Sequence, residues 1–178
     1  MNSLETITRG AVEAHLDFLL AGGHAVIAHG HPRATFDIDL IIRREDRAGW
    51  LALTDRLGYV LSHEGTTFLQ FSPPGASPLP LDLLFVNPDT FAKLLAEAVP
   101  GPPGVTNARV VSLRHLLALK CHAIKHGHAG RLVKDVDDVI QLVEANRLDM
   151  RAPETRDLFL KHGTPELYEK VRRATRPD

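Results

Sequence analysis

Residues 36–42 read FDIDLII, an apolar stretch that carries carboxylates at two alternate positions, Asp37 and Asp39. Successive side chains of a strand point to opposite faces, so i and i+2 share one. Read as a strand, FDIDLIIR (36–43) sets Asp37 and Asp39 on one face and Ile38, Leu40 and Ile42 on the other. The apolar face requires a core. The acid face requires something to offset two like charges, which repel by roughly 4 kcal/mol at about 4 Å and an effective dielectric of about 20.

A divalent cation is the simplest offset. Hard cations such as Mg²⁺ bind carboxylate oxygens and keep waters and substrate phosphates as their other ligands. Asp82, in LDLLF, is a third acid embedded in aliphatic residues. Three strand-borne carboxylates suit a two-metal site, in which ions about 3.5–4 Å apart clamp the attacking and leaving oxygens of an in-line displacement. This reading requires the three carboxylates to converge within reach of one metal cluster.

A double glycine, Gly22-Gly23, precedes Asp37 with a thirteen-residue spacer (24–36). HAVIAHG (24–30) reads as strand or helix, and periodicity does not decide in so short a piece. If it is helical, the glycines let a phosphate approach backbone N–H groups at its start. Arg33 and Thr35, in the loop HPRAT (31–35), are candidate phosphate donors.

Around this segment the expected order is a helix over 4–15, a strand in DFLLAGG, the acid strand, and an amphipathic helix over 45–59. A hairpin follows from YVLSH (59–63) and TTFLQFS (66–72), then a buried strand, LPLDLLFV (79–86), and a capped helix, NPDTFAKLLAEA (87–98). PGPPG (100–104) is the strongest break and divides an expected catalytic core, 1–104, from a helical region, 105–178. After it come a short strand, ARVV, a helix with Ser112 as N-cap, a second helix over 131–146 and two short closing helices. Strands first and helices after, without βαβ alternation, give an α+β class: a mixed sheet flanked by helices, then a helical C-terminal half.

Composition narrows the function classes. The 178 residues hold one domain with a real core, or a core and a helical appendage, and no apolar run reaches membrane-span length. One cysteine, Cys121, excludes an internal disulfide and fits a reducing cytoplasm, where we expect the chain to reside. Residues 1–100 are net −5 and residues 101–178 net +4, which suits a metal on one wall and a polyphosphate on the other, or two unrelated solvated surfaces. Aromatics are 6%, so no basic groove with interleaved aromatics is visible for a large RNA.

GGHAVIAHGHPRATFDIDLII resembles the signature of the nucleotidyltransferase superfamily, the DNA polymerase β-like fold: a G-[GS] turn, a spacer, then D-x-[DE]. With Arg-x-Thr before D-x-D it is similar to AbiEii-type and MenT-type toxin nucleotidyltransferases. VVSLRHLLALKCHAIKH resembles their strand and helix with a central lysine, and RLVKDVDDVIQL their Arg-x-x-Lys-Asp-x-x-Asp helix. The resemblance spans about residues 16–146.

It implies a nucleoside triphosphate (NTP) substrate with Mg²⁺ or Mn²⁺, and transfer of a nucleoside monophosphate to an acceptor hydroxyl with release of pyrophosphate. Asp37 and Asp39 would hold metal, and Asp82 would complete the shell and help to position or deprotonate the acceptor. Gly22, Gly23, Arg33 and Thr35 would seat the β- and γ-phosphates, with cationic contacts from Lys120 and Lys134. The implied partners are tRNA or a protein as acceptor and a cognate antitoxin. The alternatives are a non-catalytic antitoxin or regulatory module on the same fold, and a small-molecule (antibiotic) nucleotidyltransferase.

Two positions depart from the pattern. Many relatives carry Ser where Gly23 stands, and an acidic residue at the strand–helix junction where this chain has Arg114-His115. Among the ten histidines, His122 and His126 stand four apart as helical zinc ligands can, with His128 beyond. No closed set of thiolates or carboxylates accompanies them, and we read them as surface residues. His29 and His31 lie near enough in sequence to the phosphate loop to touch substrate. Cys121 reads as a buried structural thiol.

Overall fold

The acid strand is the centre of the sheet. The computed structural model describes residues 2–175 apart from 77, 103, 104, 106 and 128, so His128 and part of the PGPPG stretch lie outside it. By mutual packing the chain forms two units, residues 1–28 with 33–112 and residues 29–32 with 113–178.

The first unit begins with α1 (Ser3–Glu13), capped by Asn2, whose side chain accepts a hydrogen bond from the Glu5 amide at 2.8 Å. Strand β1 (Leu19–Leu20) is two residues long and fully buried, and α2 (Gly22–Ala28) follows at once. HAVIAHG is therefore helical up to Ala28. Strand β2 (Ile38–Arg43) buries Ile38, Leu40, Ile41 and Ile42, while Asp39 and Arg43 are half-buried, so the expected alternation holds at its start. One 3₁₀ turn leads into α3 (Arg47–Arg56), whose Trp50 packs edge-on against Phe18 in the core.

Strands β3 (Val60–Glu64) and β4 (Phe68–Ser72) form the expected hairpin, with a bulge between Leu61 and His63. Strand β5 (Leu81–Val86) buries Leu81, Leu83 and Phe85 and turns Asp82 to the opposite face. Helix α4 (Pro88–Ala96) starts where the sequence says it should: Asn87 accepts from the Thr90 amide at 2.8 Å and Pro88 sits in the first turn. Two short strands, β6 (Val99–Pro100) and β7 (Arg109–Val110), pair antiparallel.

The sheet order is β3-β4-β5-β2-β1-β7-β6. Strand β2 runs parallel to β5 and antiparallel to β1, and β1 runs parallel to β7, so the sheet is mixed.

The second unit is helical: α5 (Leu113–His126), α6 (Ala129–Ala145), α7 (Pro153–His162) and α8 (Pro165–Ala174). Helix α5 packs on α6 and α7, and α8 on both α6 and α7. Thr164 caps α8 by accepting from the Leu167 amide at 3.2 Å. Tyr168 spends its buried hydroxyl on the Met150 carbonyl at 2.6 Å. Asn146 donates to the His29 carbonyl at 2.9 Å, which ties residues 29–32 to this unit. No helix among the described residues is long and apolar enough to cross a membrane.

Candidate active site

Strand register gathers the acids. In the parallel β2–β5 pair, Asp39 lies opposite Asp82, and in the antiparallel β4–β5 pair Gln70 lies opposite Asp82. Gln70, Asp82 and Asp39 thus occupy one row across three adjacent strands. Gln70 Nε2 donates to Asp82 Oδ2 at 3.0 Å. Asp37 stands just before β2, and its Oδ1 accepts from Thr35 Oγ1 at 3.1 Å.

The double glycine closes onto the same place. The Ala21 amide donates to the Asp39 carbonyl at 3.0 Å, which fixes the end of β1 against the acid strand. Gly22 then takes φ +52°, the left-handed region that glycine tolerates. A β-carbon on Gly22 would run into the Asp39 carboxylate and lie 2.8 Å from Asp39 Cβ. A β-carbon on Gly23 would overlap Thr35 Oγ1, lie 2.8 Å from Thr35 Cβ and come within 3.3 Å of Arg33 Nη1. The backbone approach therefore needs glycine at position 22, while a side chain at position 23 would have to displace Thr35. Arg33 also folds back on its own loop, donating to the Ala34 carbonyl at 2.8 Å.

Seven of the residues expected from sequence are brought together in the sheet unit: Gly22, Gly23, Arg33, Thr35, Asp37, Asp39 and Asp82. The other two belong to the helical unit. Lys134 is exposed on α6. Lys120 is buried on α5, and its Nζ donates to Asp135 Oδ1 at 2.7 Å and Asp138 Oδ2 at 2.5 Å.

The expected metal cluster is not formed by the side chains as placed. Among the described residues, no three His, Cys, Asp or Glu side chains make a group able to hold a metal ion. Two of the acids are engaged by neighbours: Thr35 donates to Asp37 and Gln70 to Asp82. The donor chemistry does fit a hard cation, because the half-buried acids gathered here offer carboxylate oxygens. The His122 and His126 rings lie 4.5 Å apart, tilted and exposed, on α5.

Two residues of this region escaped the sequence reading. Gln70 alternates with buried Leu69 and Phe71, but only register shows that it meets Asp82. His24 follows the double glycine, and nothing in its spacing marks it. Burial pushes the His24 pKa down, with the Asp37 carboxylate opposing that shift and the Arg33 guanidinium adding to it.

No family model matches the chain, and no curated protein matches it, so the AbiEii-type and MenT-type resemblance has no matching family behind it. Solved structures do match. The antibiotic-resistance factor ANT(2'')-Ia in solution superposes with a TM-score of 0.69 at 17% identity, over 94% of this chain and 92% of that one. The crystal structure of ANT(2'')-Ia with adenylyl-2''-tobramycin gives 0.65 at 17% identity, over 94% of each chain. The lincosamide antibiotic adenylyltransferase LnuA, with lincomycin bound, gives 0.54 at 17% identity, over 79% of this chain and 94% of that one. At that identity the likeness is one of architecture: the chain has the nucleotidyltransferase fold.

Proposed function

We propose that this chain is a metal-dependent nucleotidyltransferase that moves a nucleoside monophosphate from an NTP to a hydroxyl of a small acceptor molecule. The observation that carries the reading is the closure of Gly22 and Gly23 onto Asp39, Thr35 and Arg33. A turn that gives up both side chains to bring its backbone against an acid strand suits a polyphosphate seat beside a metal site.

In this reading Gly22, Gly23, Arg33 and Thr35 seat the β- and γ-phosphates. Asp37, Asp39 and Asp82 would hold Mg²⁺ or Mn²⁺, which when bound neutralises the triphosphate and polarises the α-phosphoryl group. The acceptor oxygen forms a bond to the α-phosphorus, and the bond from that phosphorus to the bridging oxygen of the β-phosphate breaks. Pyrophosphate leaves, and the hydroxyl proton passes to Asp82, one of whose oxygens Gln70 fixes in place. Lys120 serves the helical unit, since two aspartates already neutralise it.

For the acceptor, a likeness that runs nearly end to end with ANT(2'')-Ia, and covers 94% of LnuA, supports a small molecule. A second reading, tRNA or a protein acceptor with a cognate antitoxin, is favoured by R-x-T before D-x-D and by the K-D-x-x-D helix.

The test supplies each α-labelled NTP with Mg²⁺ and a bacterial lysate to wild type and Asp39→Asn, then separates small molecules, RNA and protein. Label among small molecules, dependent on Asp39, is the expected result. Label in RNA or protein moves the assignment to the second reading. No label in any fraction, with no nucleotide binding, sinks the enzymatic reading and favours a non-catalytic module.

A further inference from the structure

In the row formed by Gln70, Asp82 and Asp39, Gln70 alone carries no charge. It sits on β4 between buried Leu69 and Phe71, which lie opposite buried Leu83 and Leu81 on β5. A slip of one residue would turn both pairs out of the core, so the core fixes Gln70 opposite Asp82. Side chains directly opposite on one face stand about 4.5–5.5 Å apart at Cβ, within reach of the long amide. Gln70 uses that reach: its Nε2 donates to Asp82 Oδ2 at 3.0 Å, and both residues are half-buried.

The kind of donor matters. The helical unit holds Asp135 and Asp138 with a cation, Lys120, which neutralises as it binds. In the sheet unit Thr35 donates to Asp37 and Gln70 to Asp82, and both donors are uncharged. An amide N–H fixes one carboxylate oxygen and adds no charge of its own, so this contact leaves the carboxylate anionic. A cationic side chain in the same place would make a stronger, charge-assisted bond and compete with a metal ion for the oxygens. We propose that Gln70 is a positioning residue for Asp82, holding that carboxylate in one orientation without neutralising it. The inference deepens the nucleotidyltransferase reading and rests on it for its consequence, while the contact stands on its own geometry. Partners that orient metal ligands in this way typically change metal affinity or activity by about 10–100-fold when removed.

Two substitutions separate positioning from a structural role. Gln70→Leu keeps most of the side-chain bulk and deletes the donor. With α-labelled NTP and the small-molecule fraction of a lysate as acceptor, kcat should fall by about tenfold or more, while the KM for NTP stays within about twofold. Gln70→Lys keeps a donor and adds the charge. Its melting temperature should equal or exceed that of wild type, because a cation beside Asp82 and Asp39 offsets their repulsion. Its transfer should nonetheless fall at least as far as that of Gln70→Leu. Mn²⁺ binding to the free Gln70→Lys protein, followed by the EPR signal of unbound ion, should weaken by about tenfold or more. Wild-type transfer by Gln70→Leu, or wild-type transfer and Mn²⁺ binding by Gln70→Lys, overturns the proposal.

A measurement free of catalysis separates this inference from the functional reading. In the NMR spectrum of the full-length protein, the Gln70 side-chain NH₂ is identified by its loss in Gln70→Leu. One of its protons should be shifted downfield by the carboxylate, and that shift should disappear in Asp82→Ala. Absence of the shift from wild type, or its survival in Asp82→Ala, overturns the positioning contact. Its presence in a protein that transfers no nucleotide and binds no Mn²⁺ overturns the functional reading alone.

Discussion

The Asp39 carboxylate occupies the place where residue 22 would carry a side chain, with its Cβ 2.8 Å from the position of a Gly22 β-carbon. Strand and turn are thus fitted to each other at a single residue pair. Gly22→Ala must displace the carboxylate and also hold alanine at φ +52°, which alone costs about 1–2 kcal/mol. We predict a loss of at least that much stability in urea denaturation, and loss of nucleotidyl transfer. A Gly22→Ala protein with wild-type transfer would contradict the seat we describe.

Asp39 and Asp82 face each other in register across β2 and β5. Carboxylates about 5 Å apart repel by roughly 3 kcal/mol at an effective dielectric of about 20, so neutralising one relieves strain in the folded protein. Asp39→Asn and Asp82→Asn should therefore melt within a few degrees of wild type, or above it, while transfer falls by at least about a hundredfold. Parallel loss of stability and activity would instead mark these acids as structural.

Part of this arrangement is legible in the sequence. The i, i+2 acids in FDIDLII announce a strand with one buried face, and Asn87-Pro88 announces the start of α4, because both signals are local. The glycine pair and Arg33-x-Thr35 mark a turn near that strand through their order alone. Register is not local. That Gln70 meets Asp82 depends on how β4 lies along β5, and no residue in TTFLQFS states it. The helical state of residues 22–28 is settled by packing beside β2, where a seven-residue segment has too few turns to show periodicity. Lys120 reads as an isolated cation on an apolar helix because its two partners lie on α6, and sequence does not say which faces of α5 and α6 meet.

That triad yields the third prediction. Asp138 is fully buried and Lys120 nearly so, and Lys120 bridges Asp138 and Asp135. Removing the lysine leaves buried carboxylates without their cation, a change that costs about 3–5 kcal/mol. Lys120→Met should destabilise the chain by that order in chemical denaturation. Lys120→Met combined with Asp135→Leu and Asp138→Leu should recover much of it, since an apolar replacement of the whole group removes the charges together. A Lys120→Met protein of wild-type stability and impaired NTP binding would return Lys120 to the phosphate-binding set.

Cys121 lies on the same helix, next to Lys120, with no exposed surface. Burial pushes its thiol pKa up to about 12, from a starting value of 9.0. The nucleophile in thiol chemistry is the thiolate, so at pH 8 the folded protein should react with a disulfide reagent only through unfolding, and stoichiometrically once denatured. The sign of the linked stability follows. A thiol whose folded pKa is raised contributes its full stabilisation below the unfolded value, about 8.5–9, and loses it as pH climbs toward 12. Stability measured between pH 9 and 12 should therefore decline more steeply in wild type than in Cys121→Ala. Rapid modification at pH 8 without denaturant, or equal slopes for the two proteins, would show that the thiol is reachable and that the helical unit opens at α5.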